Sequence, residues 1–584
     1  MRRARQARTD LWIAGLALAS GLLGCEKGSS PTGASSESAK SQRVSVDAGP
    51  VVLSPTLRLY FLSDLAGALA PCGCIKDQLG GMDHLVAWMA SQRARAPAAL
   101  LAAAGPLFFM DDKLKGDRAD QDERKAATVA SILGGLNFVA FAPGINDWDV
   151  GDKGLVNLAQ TSGAAIVAGS VAEGSPPFVP AVVKEVGGIK VGFVGFGQVP
   201  RAPAESTANA ASDASSSSGA NAASDASAEY DASAGDPEDI VARGVDLAKR
   251  GGANVLVALV AVGRDEARRI AKAIPELTAI VVGSPSANGE ENGIAPQGEQ
   301  VGSVLMVQGA NHLQSVAVLD LYVRDPASPG HLIRFADATG LDRAPERESL
   351  AARIDDLHEK IAIWERDRSL PPADIESRRR DLAALEQQRV SLDVEPPPAR
   401  GSFFRYAIKE VRSSLGTDPS IQTEMGAYYA EVNSRNRSAL SDRKPIPGKA
   451  GLASYVGVSV CAHCHAPAVA MWNHTWHAHA YGTLRSEGRE FNLECVGCHV
   501  TGYERPGGST VTHVDKLENV QCEVCHGPGS KHVADPIDEG AILAKPDAAR
   551  CLDCHRSPHV EQFDPVAKMK EILGPGHGMP LHKP

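Results

Sequence analysis

The stretch Asn519-Val-Gln-Cys522-Glu-Val-Cys525-His526-Gly-Pro-Gly529 places two cysteines three positions apart, with a histidine directly after the second. The same spacing recurs as Cys461-Ala-His-Cys464-His465, Cys495-Val-Gly-Cys498-His499 and Cys551-Leu-Asp-Cys554-His555. In a chain of 584 residues with only 11 Cys and 17 His, four copies after residue 450 are not chance. The spacing has a chemical reason. Two thiols so placed add to both vinyl groups of one haem, and the adjacent imidazole becomes its proximal iron ligand. Zinc knuckles also use Cys-x-x-Cys pairs, but they do not require a histidine after every second cysteine. The motifs therefore predict four covalently bound haem c groups. Their attachment residues are Cys461, Cys464, Cys495, Cys498, Cys522, Cys525, Cys551 and Cys554, and their proximal ligands are His465, His499, His526 and His555. The region from 451 to 584 is short for four cofactors, so the haems must form much of its core. A mainly helical and irregular fold is expected there.

Nine histidines of this region remain: His463, His474, His477, His479, His513, His532, His559, His577 and His582. Four haems with two imidazoles each would need only four of them. Met471, Met569 and Met579 are alternative axial ligands that would raise the potential.

Beyond the motifs, Tyr455-Val-Gly, Trp472…His477-Ala-His-Ala480, Cys498-His-Val-Thr-Gly502, the His532 that follows Cys525-His-Gly-Pro-Gly529, and Phe563-Asp564 resemble the tetrahaem cytochrome family that accepts electrons from hydroxylamine oxidoreductase. The resemblance covers essentially all of 453–580. It implies that His477 and His532 are distal ligands, with His577 the candidate for another haem. One haem of that family can lack a distal protein ligand.

The front of the chain has a different character. Residues 51–340 alternate apolar runs with helical patterns, which indicates an α/β domain. Strands are predicted at Thr56–Ser63, Lys190–Phe196, Asn254–Val260, Ala279–Val282, Val304–Gln308 and Val316–Val323, and helices at Met82–Arg95 and Ile240–Arg250. Gly187-Gly188 reads as a hairpin turn. Residues 203–237, an Ala/Ser/Asp/Asn tract without periodicity, read as a disordered insertion.

Thr56-Leu-Arg-Leu-Tyr-Phe-Leu-Ser-Asp64-Leu-Ala66-Gly67, Gly80-Gly81, Ala104-Gly105-Pro106, Gly144-Ile145-Asn146-Asp147 and Gly283-Ser284-Pro285-Ser286 occur in order. They resemble the skeleton of the calcineurin-like metallophosphoesterases, five-prime nucleotidase branch, over about 56–325. The resemblance implies a β-sandwich flanked by helices. Active members hold two metals with Asp-x-His, Gly-Asp, Gly-Asn-His, a strand-end His and Gly-His-x-His; paired metals generate the hydroxide and clamp the phosphate. Here Asp64 survives, but Ala66, Pro106, Ile145, Asn146, Ala261, Ser284 and Ser286 stand at the other positions. The expectation is a retained scaffold without hydrolysis. A divergent, still-active phosphoesterase fused to a cytochrome is the opposing reading.

Just beyond Asp64 lies Pro71-Cys72-Gly73-Cys74. With eight cysteines assigned to haem and Cys25 to lipid, Cys72 and Cys74 are the two remaining thiols. A bridge between them would close a very small, strained ring that is easily reduced. They are read as a redox-active pair, against the alternative of an inert staple.

The N-terminus reads as an address. Arg2, Arg3, Arg5 and Arg8 precede the apolar run Leu11–Gly24, too short to span a bilayer, and Leu22-Leu23-Gly24-Cys25 resembles a bacterial lipoprotein signal. Cys25 would carry the lipid. This predicts an exported, periplasmic or cell-surface protein anchored to a membrane, with 1–25 as signal and 26–55 as a flexible tether. Leu350, Ile354, Leu357, Ile361 and Trp364, then Ile375, Leu382, Leu385 and Leu392, form a heptad-like stripe broken at Pro371-Pro372. Residues 341–398 are thus expected to be a coiled-coil helical hairpin. The front domain is assigned to 56–340, a helical connector to 399–450, and the haem domain to 451–584.

A formal charge of −11 argues against a nucleic-acid partner, which would need a basic face. The chain is multidomain, and its expected function is electron transfer with redox protein partners. The alternative is a haem enzyme acting on a small nitrogen species.

Overall fold

A computed structural model describes residues 54–71, 78–114, 116–169, 178–199, 235–287, 293–324, 328, 330–365, 372–393, 398–556 and 563–581. Cys25, Cys72, Cys74, His559 and His582 lie outside them, as do the signal, nearly all of the tether and the insertion up to residue 234.

The α/β body begins with β1 (Leu57–Ser63), α1 (Met82–Gln92), β2 (Ala99–Gly105), α2 (Ala119–Gly134), β3 (Phe138–Pro143), α3 (Gly151–Ser162), β4 (Ala165–Val167) and β5 (Phe178–Val179). It continues through β6 (Ala181–Val186), β7 (Ile189–Phe196), α4 (Pro237–Arg250), β8 (Val255–Ala261), α5 (Arg264–Ala273), β9 (Ala279–Gly283), β10 (Glu299–Val301), β11 (Val304–Val307), β12 (Ser315–Tyr322) and β13 (Phe335–Asp337). Two helices, α6 (Ala344–Trp364) and α7 (Pro372–Asp393), interrupt the body before β14 (Ser402–Glu410) and α8 (Pro419–Ala439).

These strands make two mixed sheets, ordered β13-β14-β12-β1-β2-β3-β4-β5 and β10-β11-β9-β8-β7-β6. Strand β1 shows why they stack. Its side chains alternate, so Leu57, Leu59 and Phe61 join Val191, Phe193, Val257 and Val281 of the second sheet. Tyr60 and Leu62 point the other way, onto Met82, Leu85, Val129, Leu133 and Tyr428 of the helices. Ile240, Val245 and Ile270 of α4 and α5 cover the far side of the second sheet. The expected β-sandwich flanked by helices is therefore present. The predicted strands coincide with β1, β7, β8, β9, β11 and β12 to within a residue at each end. Gly187 and Gly188 have φ of 57° and 76°, as the tight β6–β7 hairpin requires.

One sequence expectation is corrected. Residues 399–450 do not form a helical connector throughout. Ser402–Glu410 is a strand paired antiparallel with β12 from Phe403↔Tyr322 to Glu410↔Ser315. Its alternation explains this: Phe404 and Tyr406 enter the sandwich core while Arg405 and Ala407 face the other side. The chain thus leaves the sheet for α6 and α7 and returns to it.

Helices α6 and α7 bury Leu350, Ile354, Ile361 and Leu382 together. The ion pair Glu365–Arg379 and the hydrogen bond between His358 and Glu386 join earlier residues of one helix to later residues of the other, so the two helices are antiparallel. The described residues of 451–581 carry short helices, a two-stranded ribbon of Gly574–Pro575 with Gly578–Met579, and a small apolar core around Tyr481, Leu484, Val496, Val500 and Val511. Among the described residues no helix is long and apolar enough to cross a membrane.

Candidate functional site

In the α/β body, β1, β2, β3, β8 and β9 all end at one edge of the sandwich, where open α/β sheets gather their sites. Asp64 follows β1 with φ of 49° and is buried. One of its carboxylate oxygens accepts from the Ser284 backbone N–H at 2.7 Å and the other from Ser284 Oγ at 2.9 Å. Burial pushes the Asp64 carboxyl up to about 7 although these bonds pull it down. The strand ends close tightly over it. A Cβ on Gly105 would lie 2.0 Å from Asp64 Oδ1, and one on Gly283 would lie 2.2 Å from the Ala104 carbonyl carbon.

The neighbouring positions are occupied by packing. The Pro106 ring sits on Gly144, where a Cβ would approach its Cδ to 2.4 Å. The Asn146 amide donates to the Ala287 carbonyl at 2.8 Å and accepts from the Ala287 N–H at 3.0 Å. Asp147 accepts from the N–H groups of Leu107 and Phe108, at 2.9 and 2.7 Å. Burial pushes its carboxyl up to about 7 as well, against the backbone bonds it accepts. Ala261 offers only its carbonyl, which binds Gln198 Nε2. Asp64 is thus the one carboxylate left from the ligand positions. No imidazole joins it at the other positions, so this donor set does not fit a pair of metals. Among the described residues no cluster of three or more His, Cys, Asp or Glu side chains is placed to hold a metal ion.

In the C-terminal region the four motifs are helical turns. His465 N–H donates to the Cys461 carbonyl and His555 N–H to the Cys551 carbonyl, while Val496–His499 and Cys522–His526 are short helices. Such a turn puts both thiols and the imidazole on one side. Three motif histidines face a second imidazole from elsewhere in the chain. Ring centres are 6.2 Å apart for His465 and His532, 6.0 Å for His477 and His555, and 6.2 Å for His526 and His577. Two metal–nitrogen bonds of about 2 Å on opposite sides of one ion, plus the ring radius at each end, need about 6 Å. The residues fit an iron between each pair.

Hydrogen bonds orient these rings. The Nδ1 atoms of His499, His526 and His577 lie 2.6, 2.7 and 2.9 Å from the carbonyls of Ala480, Leu543 and Ile572. An Nδ1–H donated to a carbonyl leaves Nε2 free for a metal. Burial, with His555 beside it, holds His477 below the ordinary imidazole value. Burial with His577 and His465 does the same for His526, although the Leu543 carbonyl pulls the other way. Neutral imidazole is the ligating form. His532 Nδ1 is buried with no hydrogen-bond partner among the described residues. His499 faces no such imidazole among the described residues. Met579 is about half exposed, and Met471 packs against Gly574.

The motifs also touch one another. Cys461 lies beside Cys522 and Cys498 beside Cys554, while Cys525 lies beside Cys551 and Cys554. The spatial order is therefore first, third, fourth, second. Glu523, inside the third motif and 2% exposed, braces the first. Its carboxylate accepts from Val456 N–H at 2.9 Å, Gly457 N–H at 2.7 Å and Gly529 N–H at 2.8 Å. Gln521 Oε1 accepts from Val458 N–H at 2.7 Å.

A polar contact that the sequence reading missed joins the two halves. Gln121 and Lys125 of α2 reach Asn492, Leu493 and Glu494, immediately before Cys495. Polar side chains on the otherwise apolar inner face of α2, beside Ala126, Val129 and Leu133, were the available signal.

Residues 460–527 match the family described as cytochrome c554 and c-prime. Cytochrome c-554 of Nitrosomonas europaea is 30% identical over 109 residues, 16% of this chain and 46% of that protein. The chain thus spans about half the length of this curated relative. Covalently bound c-type haem is what this match implies. Among solved structures, the 5'-nucleotidase precursor of Thermus thermophilus is similar at 19% identity, over 47% of this chain and 52% of that one, with a TM-score of 0.32. The NAD nucleotidase of Haemophilus influenzae is similar at 16% identity, over 46% and 54% of the two chains, with a TM-score of 0.33. The calcineurin-like phosphoesterase YfkN of Bacillus subtilis is similar at 15% identity, over 46% of this chain and 86% of that one, with a TM-score of 0.33.

Proposed function

We propose that this chain is an exported four-haem electron-transfer protein whose front domain is a phosphoesterase-like scaffold without hydrolytic activity. The observation that carries the reading is the three imidazole pairs spaced for an iron. Bound haem would supply a one-electron couple at each motif. His532 completes the ligand set of the first motif, His577 that of the third and His477 that of the fourth. Two fixed imidazoles per iron keep the coordination unchanged between redox states, which favours transfer over chemistry. The thiol contacts support one relay order, from the first motif through the third and fourth to the second. A lipid on Cys25 would hold the protein at a membrane, and redox proteins would be its partners.

The experiment is a pyridine haemochrome assay with low-temperature EPR on the full chain. Four haems per chain with at least three low-spin signals are expected. Fewer than four haems, or stoichiometric zinc, would overturn the reading.

His499 favours a second reading. With no second imidazole facing it among the described residues, its haem would keep a face open to a small ligand, such as a nitrogen species. A high-spin signal that shifts on adding a small ligand would support it. In the front domain, Cys72 and Cys74, a few residues beyond Asp64 in sequence, are proposed as a redox pair. Thiol trapping across the range in which the haems titrate tests this, and a pair that never changes state is only a staple.

A further inference from the structure

We infer that Lys125 of the front domain is a positioning residue that sets the reduction potential of the haem held by Cys495, Cys498 and His499. This rests on the four-haem reading. Lys125 is 6% exposed, and its Nζ donates to Glu494 at 2.5 Å, one residue before the Cys495 thiol that would be bonded. Around this pair the contact is closed and polar. Gln121, 1% exposed, donates to Asn492 Oδ1 at 3.1 Å. Its Oε1 accepts from Leu493 N–H at 3.1 Å and from Asn436 Nδ2 at 2.9 Å. Asn433 Oδ1 accepts from Phe491 N–H at 2.9 Å, and the Arg489 guanidinium lies 3.8 Å over the Tyr429 ring. Asp122 accepts from Arg118 Nε at 2.8 Å on the same face of α2. The stem of Lys125 runs along the loop after β1, where a Cβ on Gly67 would meet its Cε at 3.5 Å.

The ammonium is charged. Burial pulls its proton affinity down, but Glu494 and Asp122 outweigh this and hold it above the ordinary lysine value. A buried charge is screened little by salt and acts over several ångströms at low effective dielectric. Reduced iron carries one positive charge fewer than oxidised iron. A fixed cation beside the attachment site therefore favours reduction, and a fixed anion opposes it.

Redox titration of the full-length holoprotein, followed optically and by EPR, tests this with opposite charge changes. Lys125→Met is expected to lower one of the four midpoints and leave three in place, and Lys125→Arg to return it toward the wild-type value. Glu494→Gln is expected to raise the same midpoint. A merely structural contact would move that haem the same way in both K125M and E494Q, or would move none, and either result overturns the inference. Should K125M not accumulate, E494Q alone decides: no upward shift of one midpoint sinks it. A wild-type haemochrome count below four would instead mark failure of the underlying reading.

Discussion

The rings of His477 and His555 stand 6.0 Å apart, centre to centre, although one precedes the second motif and the other ends the fourth. A metal shared between them, as proposed above, accounts for a half-buried imidazole lying beside a motif histidine. His555 is also stacked on Phe563 at 4.5 Å, which fixes the plane of its ring. Replacing His477 by Ala should leave the iron of the fourth motif with His555 alone and convert one haem from low to high spin. His532→Ala and His577→Ala should do the same for the first and third motifs. Low-temperature EPR reads each change, and an unaltered low-spin envelope would refute the pairing concerned.

Glu523 ties the first motif to the third through Val456, Gly457 and Gly529. Replacement by Ala leaves the buried N–H groups of Gly457 and Gly529 and the half-buried one of Val456 without this acceptor, at a cost of about 1–3 kcal/mol for each buried group. The haem region should lose on the order of 3 kcal/mol or more, whereas Glu523→Gln keeps one acceptor and should lose less. Thermal unfolding followed in the haem absorption checks the ranking. Equal stability of Glu523→Ala and wild type would refute the bracing role.

The readable and unreadable parts of this molecule divide by range. Each Cys-x-x-Cys-His motif is a helical turn whose chemistry needs only its own five residues, so sequence exposes it fully. The strands of the sandwich carry buried residues on both faces and read as apolar runs. Strand β14 is different: Arg405, Lys409 and Glu410 dilute its alternation, and its register comes from β12, many residues earlier. The proximity of Cys461 to Cys522 depends on long-range bonds from Glu523 and Gln521 to Val456, Gly457 and Val458, which leave no periodic trace. Lys125 is legible only as a polar residue on an apolar helix face, and its partner is not, for a related reason. A lysine on a helix normally reaches outward, and only the arrival of Glu494 from a distant segment makes it a buried partner.

The buried carboxyls of Asp64 and Asp147 give the α/β body a pH dependence of known sign. Both are raised to about 7 in the folded protein from 3.8. Between these values the folded state binds more protons than the unfolded one, so stability falls as pH rises from about 4 to about 7. Below that window neither group penalises folding; above it both do, by about 4 kcal/mol each as an upper order of magnitude. The thermal midpoint should therefore be lower at pH 8 than at pH 5. Asp64→Asn keeps an acceptor for the Ser284 N–H and removes one of the two titrations, so it should narrow that difference. An unchanged difference in the variant would show that Asp64 is already ionised at pH 5.

The same closure around Asp64 predicts how the front domain behaves toward phosphoesters. A dinuclear site needs several carboxylates and imidazoles converging on two ions about 3.5–4 Å apart. Here both Asp64 oxygens are held by Ser284, Asn146 clamps Ala287, and Asp147 spends its carboxylate on Leu107 and Phe108. Pro106 brings no ligand atom and packs on Gly144. Single restorations would not rebuild the centre. Ala66→His or Ser284→His would add one imidazole to a site whose other positions still hold Pro106, Ile145, Asn146 and Ala261. The full chain, incubated with manganese or zinc, should show no turnover of a nucleotide monophosphate or an aryl phosphate above that of the metal alone. Ser284→His should leave that result unchanged. Metal-dependent hydrolysis by the wild-type chain, abolished in Asp64→Asn, would show that the strand-end loops open to a geometry with metal-binding capacity, and would return the front domain to the working enzymes.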